Sequence, residues 1–151
     1  EEIDLRALIQ TTVNYYRSRL PQFASDVTLS LEEGDPVMVT ATPTLLSWAL
    51  ENLVKNAIDS VEKSDGKVTI NGKTMGNEAV ITVKDTGRGI PRRDWKNVFR
   101  PGYTTKSQGW GVGLSMTKRI IEDFQDGKVR IVTSEVGSGT TFEIRLPLRR
   151  G

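Results

Sequence analysis

Hydrophobic residues recur with helical spacing in three stretches of the chain. The first covers residues 4–20, and Asp4 stands where it can cap the helix start. The second covers about residues 43–63 and opens with a threonine and a proline, a pair that is typical of a helix beginning. The third covers residues 112–124. We therefore predict three α-helices.

Alternating and β-branched segments fill much of the remaining chain and predict strands. Glycine-containing turns at 75–77 and 137–139 separate two pairs of them. This order of elements predicts an α/β fold, a two-layer sandwich in which three helices cover a mixed, mostly antiparallel sheet of about five strands. The segments predicted to form strands are residues 27–31, 37–39, 67–73, 78–84, 129–133 and 140–146.

Composition narrows the classes of function. A chain of 151 residues, 36% hydrophobic and 26% charged, is typical of one globular domain. The net charge of +2 does not favour nucleic acid as a partner. With no cysteine and no histidine, the chain cannot form disulfides, His-assisted nucleophiles or His-ligated metal sites.

An acidic, glycine-containing loop follows the predicted strand at 78–84. It begins with Asp85, and Gly87 and Gly89 allow backbone to approach a ligand closely. An ionised carboxylate only accepts hydrogen bonds, so Asp85 suits a ligand group that donates, such as an exocyclic amine. Ordinary turns at strand ends also contain Asp and Gly, so the loop alone leaves both interpretations open.

The second predicted helix carries a polar stripe. At about 100° per residue, Asn52, Asn56 and Asp59 fall on one narrow face beside a broad apolar face. An amide oxygen suits Mg²⁺, which takes water and phosphate oxygens as its other ligands. Asparagine is a mediocre helix former, although two asparagines at an ordinary core boundary remain the alternative.

A glycine cluster, Gly109-Trp110-Gly111-Val112-Gly113, precedes the third helix. Glycines at a helix start leave backbone amides free for phosphate oxygens. A dinucleotide-binding fold would place a strand before them, whereas this chain has a loop at 98–109. Loops of about a dozen residues are usually functional or mobile.

Taken in order, these segments resemble the ATP-binding family shared by DNA gyrase B, Hsp90, the MutL mismatch-repair proteins and sensor histidine kinases. Asn52-Leu53-Val54-Lys55-Asn56-Ala57 resembles the N box, and Asp85-Thr86-Gly87-Arg88-Gly89 resembles the first glycine box. The stretch 99–106 resembles the F box of histidine kinases, and 109–113 and 137–142 are similar to the later glycine boxes.

The resemblance implies a Bergerat-type ATP-binding fold with ATP and Mg²⁺ as cofactors. Asp85 would accept a hydrogen bond from the adenine amine, and Thr140 would help through water. Asn56 would bind Mg²⁺ and would act in catalysis with Asn52 and Lys106, and either Lys106 or Arg100 would supply a cation for the phosphates. The loop at 98–109 would form a lid over ATP. The other implied nucleotide-binding positions are Asp59, Gly87, Gly89, Ile90, Tyr103, Thr104, Thr105, Gly109, Gly111, Val112, Gly113 and Leu114.

The residue at position 52 distinguishes ATP-hydrolysing members of the family from members that transfer the phosphoryl group. ATP-hydrolysing members carry a glutamate one helical turn before the magnesium asparagine, where it activates water. Here that position is Asn52, whose amide cannot take a proton, and Glu51 lies about 100° around the helix. The resemblance thus implies a domain that binds ATP, hydrolyses it poorly and gives its γ-phosphoryl group to another acceptor.

In a histidine kinase that acceptor is a histidine on a separate dimerisation domain. We therefore expect residues 1–151 to be one catalytic, ATP-binding domain of a longer two-component sensor kinase. The expected partners are the His-bearing dimerisation domain and, downstream, a response regulator receiver domain, with neither nucleic acid nor membrane contacted. We expect a cytoplasmic location and leave open a membrane anchor in the parent protein. The alternatives are an ATP-driven clamp of the gyrase or Hsp90 type and an anti-sigma factor with serine kinase activity.

Overall fold

The computed structural model describes residues 1–19, 27–61, 66–101 and 113–148. Within these residues it contains three α-helices and seven strands. The helices are α1 (Leu5–Arg17), α2 (Pro43–Val61) and α3 (Gly113–Arg119), which continues as a π-helical turn over Ile120–Phe124. Short 3₁₀ turns cover Arg92–Asp94 and Asn97–Phe99. The strands are β1 (Glu2–Asp4), β2 (Thr28–Leu31), β3 (Met38–Thr40), β4 (Lys67–Met75), β5 (Glu78–Asp85), β6 (Lys128–Glu135) and β7 (Gly139–Pro147).

The main sheet has five strands in the order β2-β4-β5-β7-β6. Only the β2–β4 pair is parallel, so the predicted mixed, mostly antiparallel sheet is confirmed. The predicted strand at 37–39 does not join this sheet: β3 pairs with β1 in a separate two-stranded ribbon. Strand β1 was not predicted, because these three residues become a strand only through their pairing with β3.

The predicted helix boundaries hold in part. Asp4 caps α1 as expected, since its Oδ1 accepts a hydrogen bond from Arg6 N at 3.0 Å. Helix α1 ends at Arg17, three residues before the predicted end, and residues 20–26 lie outside the described part. Helix α2 begins at Pro43 as predicted, and its predicted end at residue 63 falls outside that part. In the described ranges no helix is long and apolar enough to cross a membrane.

Helix α2 forms the centre of the helical layer. Its apolar face is almost fully buried and belongs to the same core cluster as the inner side chains of β5 and β7, such as Val83 and Phe142. This packing fixes the rotation of α2 and leaves its polar positions at the edge of the core. The buried residues of α2 are Leu46, Ala49, Leu50, Leu53, Val54, Ala57, Ile58 and Val61.

A buried arginine fastens α1 to the sheet. Arg6 is only 9% exposed, and its guanidinium donates to Gly72 O on β4 at 2.6 Å and to Glu32 O after β2. A charged donor on a buried carbonyl contributes about 1.5–3 kcal/mol. Arg6 therefore connects α1 with two strands that are distant in sequence.

Replacing Arg6 should destabilise the fold. Arg6→Met keeps most of the side-chain volume but leaves the two carbonyls without their donor, so we expect a loss of about 3 kcal/mol in the free energy of unfolding. Urea denaturation measures this loss. Gln10→Met is the control, since Gln10 is exposed on the same helix and its side chain donates to Asn14 on that helix. Equal stability of the two variants would contradict the role of Arg6.

Candidate functional site

Asp85 is a buried carboxylate at the end of β5. It is 3% exposed, and its Oδ1 accepts hydrogen bonds from Gly87 N at 2.9 Å and Thr140 N at 3.3 Å. Burial raises the pKa of Asp85, whereas these two amides, the Ser60 hydroxyl and the charge of Arg88 act to lower it. The site thus holds an acceptor in a place where water solvates it poorly.

The loop after Asp85 lies between α2 and the β6–β7 turn. A Cβ on Gly87 would come within 2.0 Å of Ser60 Oγ, so only glycine allows this approach to α2. Gly89 has φ +75°, and a Cβ there would lie 2.0 Å from Glu135 O. Both predicted glycines therefore fix the backbone of the loop around Asp85.

Hydroxyl groups connect this loop to β7. Thr140 is 4% exposed and pairs with Asp85 across the β5–β7 register. Its Oγ1 lies 2.7 Å from Ser134 Oγ, which in turn accepts a hydrogen bond from Ile90 N at 2.7 Å. The predicted residues Asp85, Thr140 and Ile90 thus belong to one connected group. Ser134 was not predicted, because only the pairing register of β6 and β7 reveals its position beside Thr140.

Three polar residues at i, i+4 and i+8 follow one line along α2; we call Asn52, Asn56 and Ser60 the polar ridge. At one end, Asn52 Oδ1 lies 3.6 Å from the Cβ position of Gly113 at the start of α3. At the other end, Ser60 Oγ accepts a hydrogen bond from Arg88 N at 3.1 Å. At 1.5 Å rise per residue the ridge is about 12 Å long, with Asn56 at its centre.

Ser60 is the member of this ridge that sequence analysis missed. The helical spacing favoured Asp59, because at about 100° per residue it lies closer than Ser60 to the angular position of Asn52. In the structure, burial first and then the charges of Glu51 and Asp59 raise the pKa of Tyr16 to about 12. Tyr16 belongs to α1, and its hydroxyl donates to Glu51 O on α2 at 3.4 Å. The predicted nucleotide contact of Asp59 stays a prediction.

The structure describes only some of the remaining predicted site residues. Leu114 is partly buried and packs against the core. Residues 102–106 of the F box and most of the second glycine box fall outside the described residues, so their predicted roles stay predictions. The positions concerned are Tyr103, Thr104, Thr105, Lys106, Gly109, Gly111 and Val112.

The described site has the Asp85 carboxylate as a hydrogen-bond acceptor at one end and the side-chain amides of Asn52 and Asn56 along one wall. Across the described ranges, no group of three or more His, Cys, Asp or Glu residues is placed to hold a metal ion. A cation here would depend on amide oxygens and on oxygens of the ligand itself, which is the ligand set that Mg²⁺ accepts with a nucleotide phosphate. The arrangement fits a ligand with a donor at one end and anionic oxygens at the other.

Comparison with known proteins places this chain in a family. Residues 41–150 match the family of histidine kinase-, DNA gyrase B- and HSP90-like ATPases, and the chain belongs to it. Sporulation kinase C of Bacillus subtilis (strain 168) is 37% identical over 120 residues, which are 80% of this chain. These residues are 27% of that kinase, so the chain spans about a quarter of its length.

Solved structures show the same fold. The catalytic domain of histidine kinase ThkA has a TM-score of 0.87 and 29% identity, with 99% of this chain and 95% of that chain covered. ThkA in complex with the response regulator protein TrrA has a TM-score of 0.83 and 27% identity, with 98% and 41% covered. The predicted family and the predicted fold are confirmed.

Gly89 offers a test of the loop geometry. Alanine at positive φ costs about 1–2 kcal/mol anywhere, but at Gly89 it also collides with Glu135 O. We expect Gly89→Ala to lower ATP affinity by more than about tenfold, with calorimetry as the measurement. Gly76→Ala is a matched control, because Gly76 has φ +60° and no atom within 4 Å of its Cβ position. Equal ATP affinity of the two variants would contradict this description.

Ser60 offers a test of the electrostatics. Ser60→Ala removes a hydroxyl that lowers the pKa of Asp85, so that pKa should rise further above its ordinary value. Because the ionised form of Asp85 is the acceptor, the variant should lose ATP affinity at a higher pH than the wild type as the solution is acidified. We expect about a tenfold loss at pH 7 and a ratio to wild type that worsens toward pH 5. Ser60→Thr keeps the hydroxyl and should behave as wild type, and a ratio independent of pH would refute the assignment.

Proposed function

We propose that this chain binds Mg²⁺–ATP and transfers the γ-phosphoryl group to a histidine on a separate dimerisation domain of a two-component sensor kinase. The observation that carries this proposal is the polar ridge, which runs from the start of α3 at Asn52 to the Asp85 loop at Ser60. A nucleotide laid along it meets an acceptor for its base and amides near its phosphates.

We assign the adenine base of the nucleotide to the Asp85 end of the polar ridge. The adenine amine donates hydrogen bonds, and the Asp85 carboxylate is a buried acceptor whose other partners include the backbone amides of Gly87 and Thr140. Guanine presents a carbonyl oxygen at the corresponding position, which a carboxylate would repel. The arrangement therefore favours adenine.

The metal belongs at the centre of the ridge. The amide oxygen of Asn56 would hold Mg²⁺, and the phosphate oxygens of ATP would supply further ligands. When bound, Mg²⁺ neutralises charge on the transferring phosphoryl group. The predicted phosphate cation Lys106 and the amides of Gly111 and Gly113 belong to the same proposal.

The reaction is a transfer in which the chain itself supplies no base. The acceptor imidazole nitrogen forms a bond to the γ-phosphorus, the bond from that phosphorus to the bridging oxygen breaks, and ADP leaves. Asn52 stands where a water-activating glutamate would stand in an ATPase, and Glu51 lies beside α1, where its carbonyl oxygen accepts a hydrogen bond from the Tyr16 hydroxyl at 3.4 Å. This placement supports a kinase over an ATP-hydrolysing clamp.

The relatives support the same context. Sporulation kinase C is a kinase by name, and ThkA has been solved with a response regulator. We infer that residues 1–151 are one catalytic domain of a longer kinase and that this domain lies in the cytoplasm. Its partners are the dimerisation domain of that kinase and a response regulator receiver domain.

Asp85→Asn tests the assignment of Asp85 as the acceptor for the adenine amine. The asparagine keeps an acceptor for Gly87 N but places a donor against the adenine amine, so we expect ATP affinity to fall by about a hundredfold or more. The fold should remain intact, because burial disfavours the ionised form of Asp85. Calorimetric titration measures the affinity, with the exposed Asp123→Asn as control. Near wild-type ATP affinity in Asp85→Asn would refute this role of Asp85.

A second experiment separates kinase from ATPase. A general base contributes about 10²–10⁴-fold, so the chain alone should bind ATP but hydrolyse it negligibly. With γ-labelled ATP and a His-bearing helical domain, the label should appear on that domain in acid-labile form. It should not appear when the acceptor histidine is replaced by glutamine. Asn56→Ala should reduce transfer more than Asn52→Ala. Robust hydrolysis by the chain alone would overturn the kinase proposal.

A further inference from the structure

The hydroxyl of Ser134, on β6, has three hydrogen-bonding neighbours among the described residues. Its Oγ accepts a hydrogen bond from Ile90 N at 2.7 Å. The same oxygen lies 3.3 Å from Gly139 O and 2.7 Å from the hydroxyl oxygen of Thr140. A serine hydroxyl offers one proton and two lone pairs. These three neighbours therefore use its whole hydrogen-bonding capacity.

The bond between the two hydroxyls runs from Thr140 to Ser134. Gly139 O can only accept, so the single proton of Ser134 goes to it. The 2.7 Å contact then requires the proton of Thr140, which donates to Ser134 Oγ. In the reverse order the Thr140 proton would have no acceptor among the described residues, although Thr140 is only 4% exposed. Buried donors without partners are rare in folded proteins, so the first order is the favoured one.

This direction leaves the Thr140 hydroxyl as an acceptor. Thr140 pairs with Asp85 across the β5–β7 register, and its backbone N donates to Asp85 Oδ1 at 3.3 Å. With its proton turned toward Ser134, the Thr140 hydroxyl has only lone pairs left for a ligand or a bridging water. The Asp85 carboxylate is likewise an acceptor. A base edge bound here must therefore donate, as the 6-amino group of adenine does and the 6-oxo group of hypoxanthine or guanine does not.

We propose that Ser134 is a specificity-determining residue that acts through Thr140: by holding the Thr140 proton away from the ligand, it makes the site favour 6-amino purines over 6-oxo purines. The inference rests on the proposed function, because it places the base of ATP at Asp85. Ser134 itself is a positioning residue, since it acts on the base only through Thr140. Without the Ser134 hydroxyl, the Thr140 proton is free to turn toward the base and can donate to a carbonyl oxygen at position 6.

A purely structural role of Ser134 would have a different effect. The bond from Ile90 N to Ser134 Oγ fastens the loop after Asp85 to β6, and its loss alone would weaken the binding of every nucleotide alike. A reversal of the Thr140 hydroxyl changes the donor–acceptor pattern instead, so it favours one kind of purine over the other. The ratio of two affinities therefore separates the two roles.

Calorimetry of the full chain with Mg²⁺–ATP and Mg²⁺–ITP measures this ratio, with ITP followed by displacement of ATP. ITP carries hypoxanthine, in which an oxygen replaces the 6-amino group of adenine. We expect Ser134→Ala to lower the ratio of the ITP to the ATP dissociation constant by about tenfold. Thr133→Ala should keep the wild-type ratio, because Thr133 is exposed and its side chain points to the other face of the sheet. An unchanged ratio in Ser134→Ala would overturn the proposal.

Thr140→Val tests whether the effect passes through Thr140. This variant removes the hydroxyl at nearly the same shape, so the acceptor that opposes a 6-oxo group is lost and the ratio should also fall. In the Thr140→Val background, Ser134→Ala should change the ratio no further. An equal effect of Ser134→Ala in both backgrounds would refute the proposal. If Ser134→Ala does not fold, Thr140→Val alone decides, because an unchanged ratio there contradicts the role of Thr140.

The placement of the base at Asp85 is tested separately. A wild-type chain that binds no ATP, or an Asp85→Asn variant that binds it like the wild type, would contradict that placement and this inference with it. If ATP binds and Asp85→Asn weakens it, while the ratio does not respond to Ser134→Ala, only the inference about Ser134 fails.

Discussion

The buried carboxylate of Asp85 is the constraint on which the rest of the site depends. An ionised group at 3% exposure is unfavourable unless donors surround it, and here they come from the backbone of its own loop and of β7. These donors require a loop that turns immediately after β5 and a strand that pairs with it in one register. The site is therefore built into the sheet and its register.

The sheet supplies the position of Asp85, and the core packing of α2 supplies the opposite wall. Eight buried apolar residues fix the rotation of α2, so Asn52, Asn56 and Ser60 must lie along the core boundary. Ser60 closes the arrangement by accepting from Arg88 N, which fastens the Asp85 loop to α2. A change in the helix rotation would separate the amide oxygens from the carboxylate, even with every side chain retained.

Much of this arrangement could be predicted from sequence, because periodicity and short motifs are local signals. The apolar face of α2, the five-stranded sheet and the Asp85 loop all follow from them. The parts that were missed depend on contacts between distant segments. Ser134 lies beside Thr140 only through the pairing of β6 with β7, and Ser60 becomes significant only when the loop folds against α2. Strand β1 exists only because β3 pairs with it.

The most direct test of this account is a crystal structure of the chain with Mg²⁺ and a non-hydrolysable ATP analogue. We expect the adenine amine to lie within hydrogen-bond distance of the Asp85 carboxylate and Mg²⁺ to be bound to Asn56 and to phosphate oxygens. A cavity of about 750 Å³ beside Arg6, lined by Asp4, Glu32 and Glu33, is an independent place for a ligand. A nucleotide bound there, with Asp85 left unoccupied, would contradict the account.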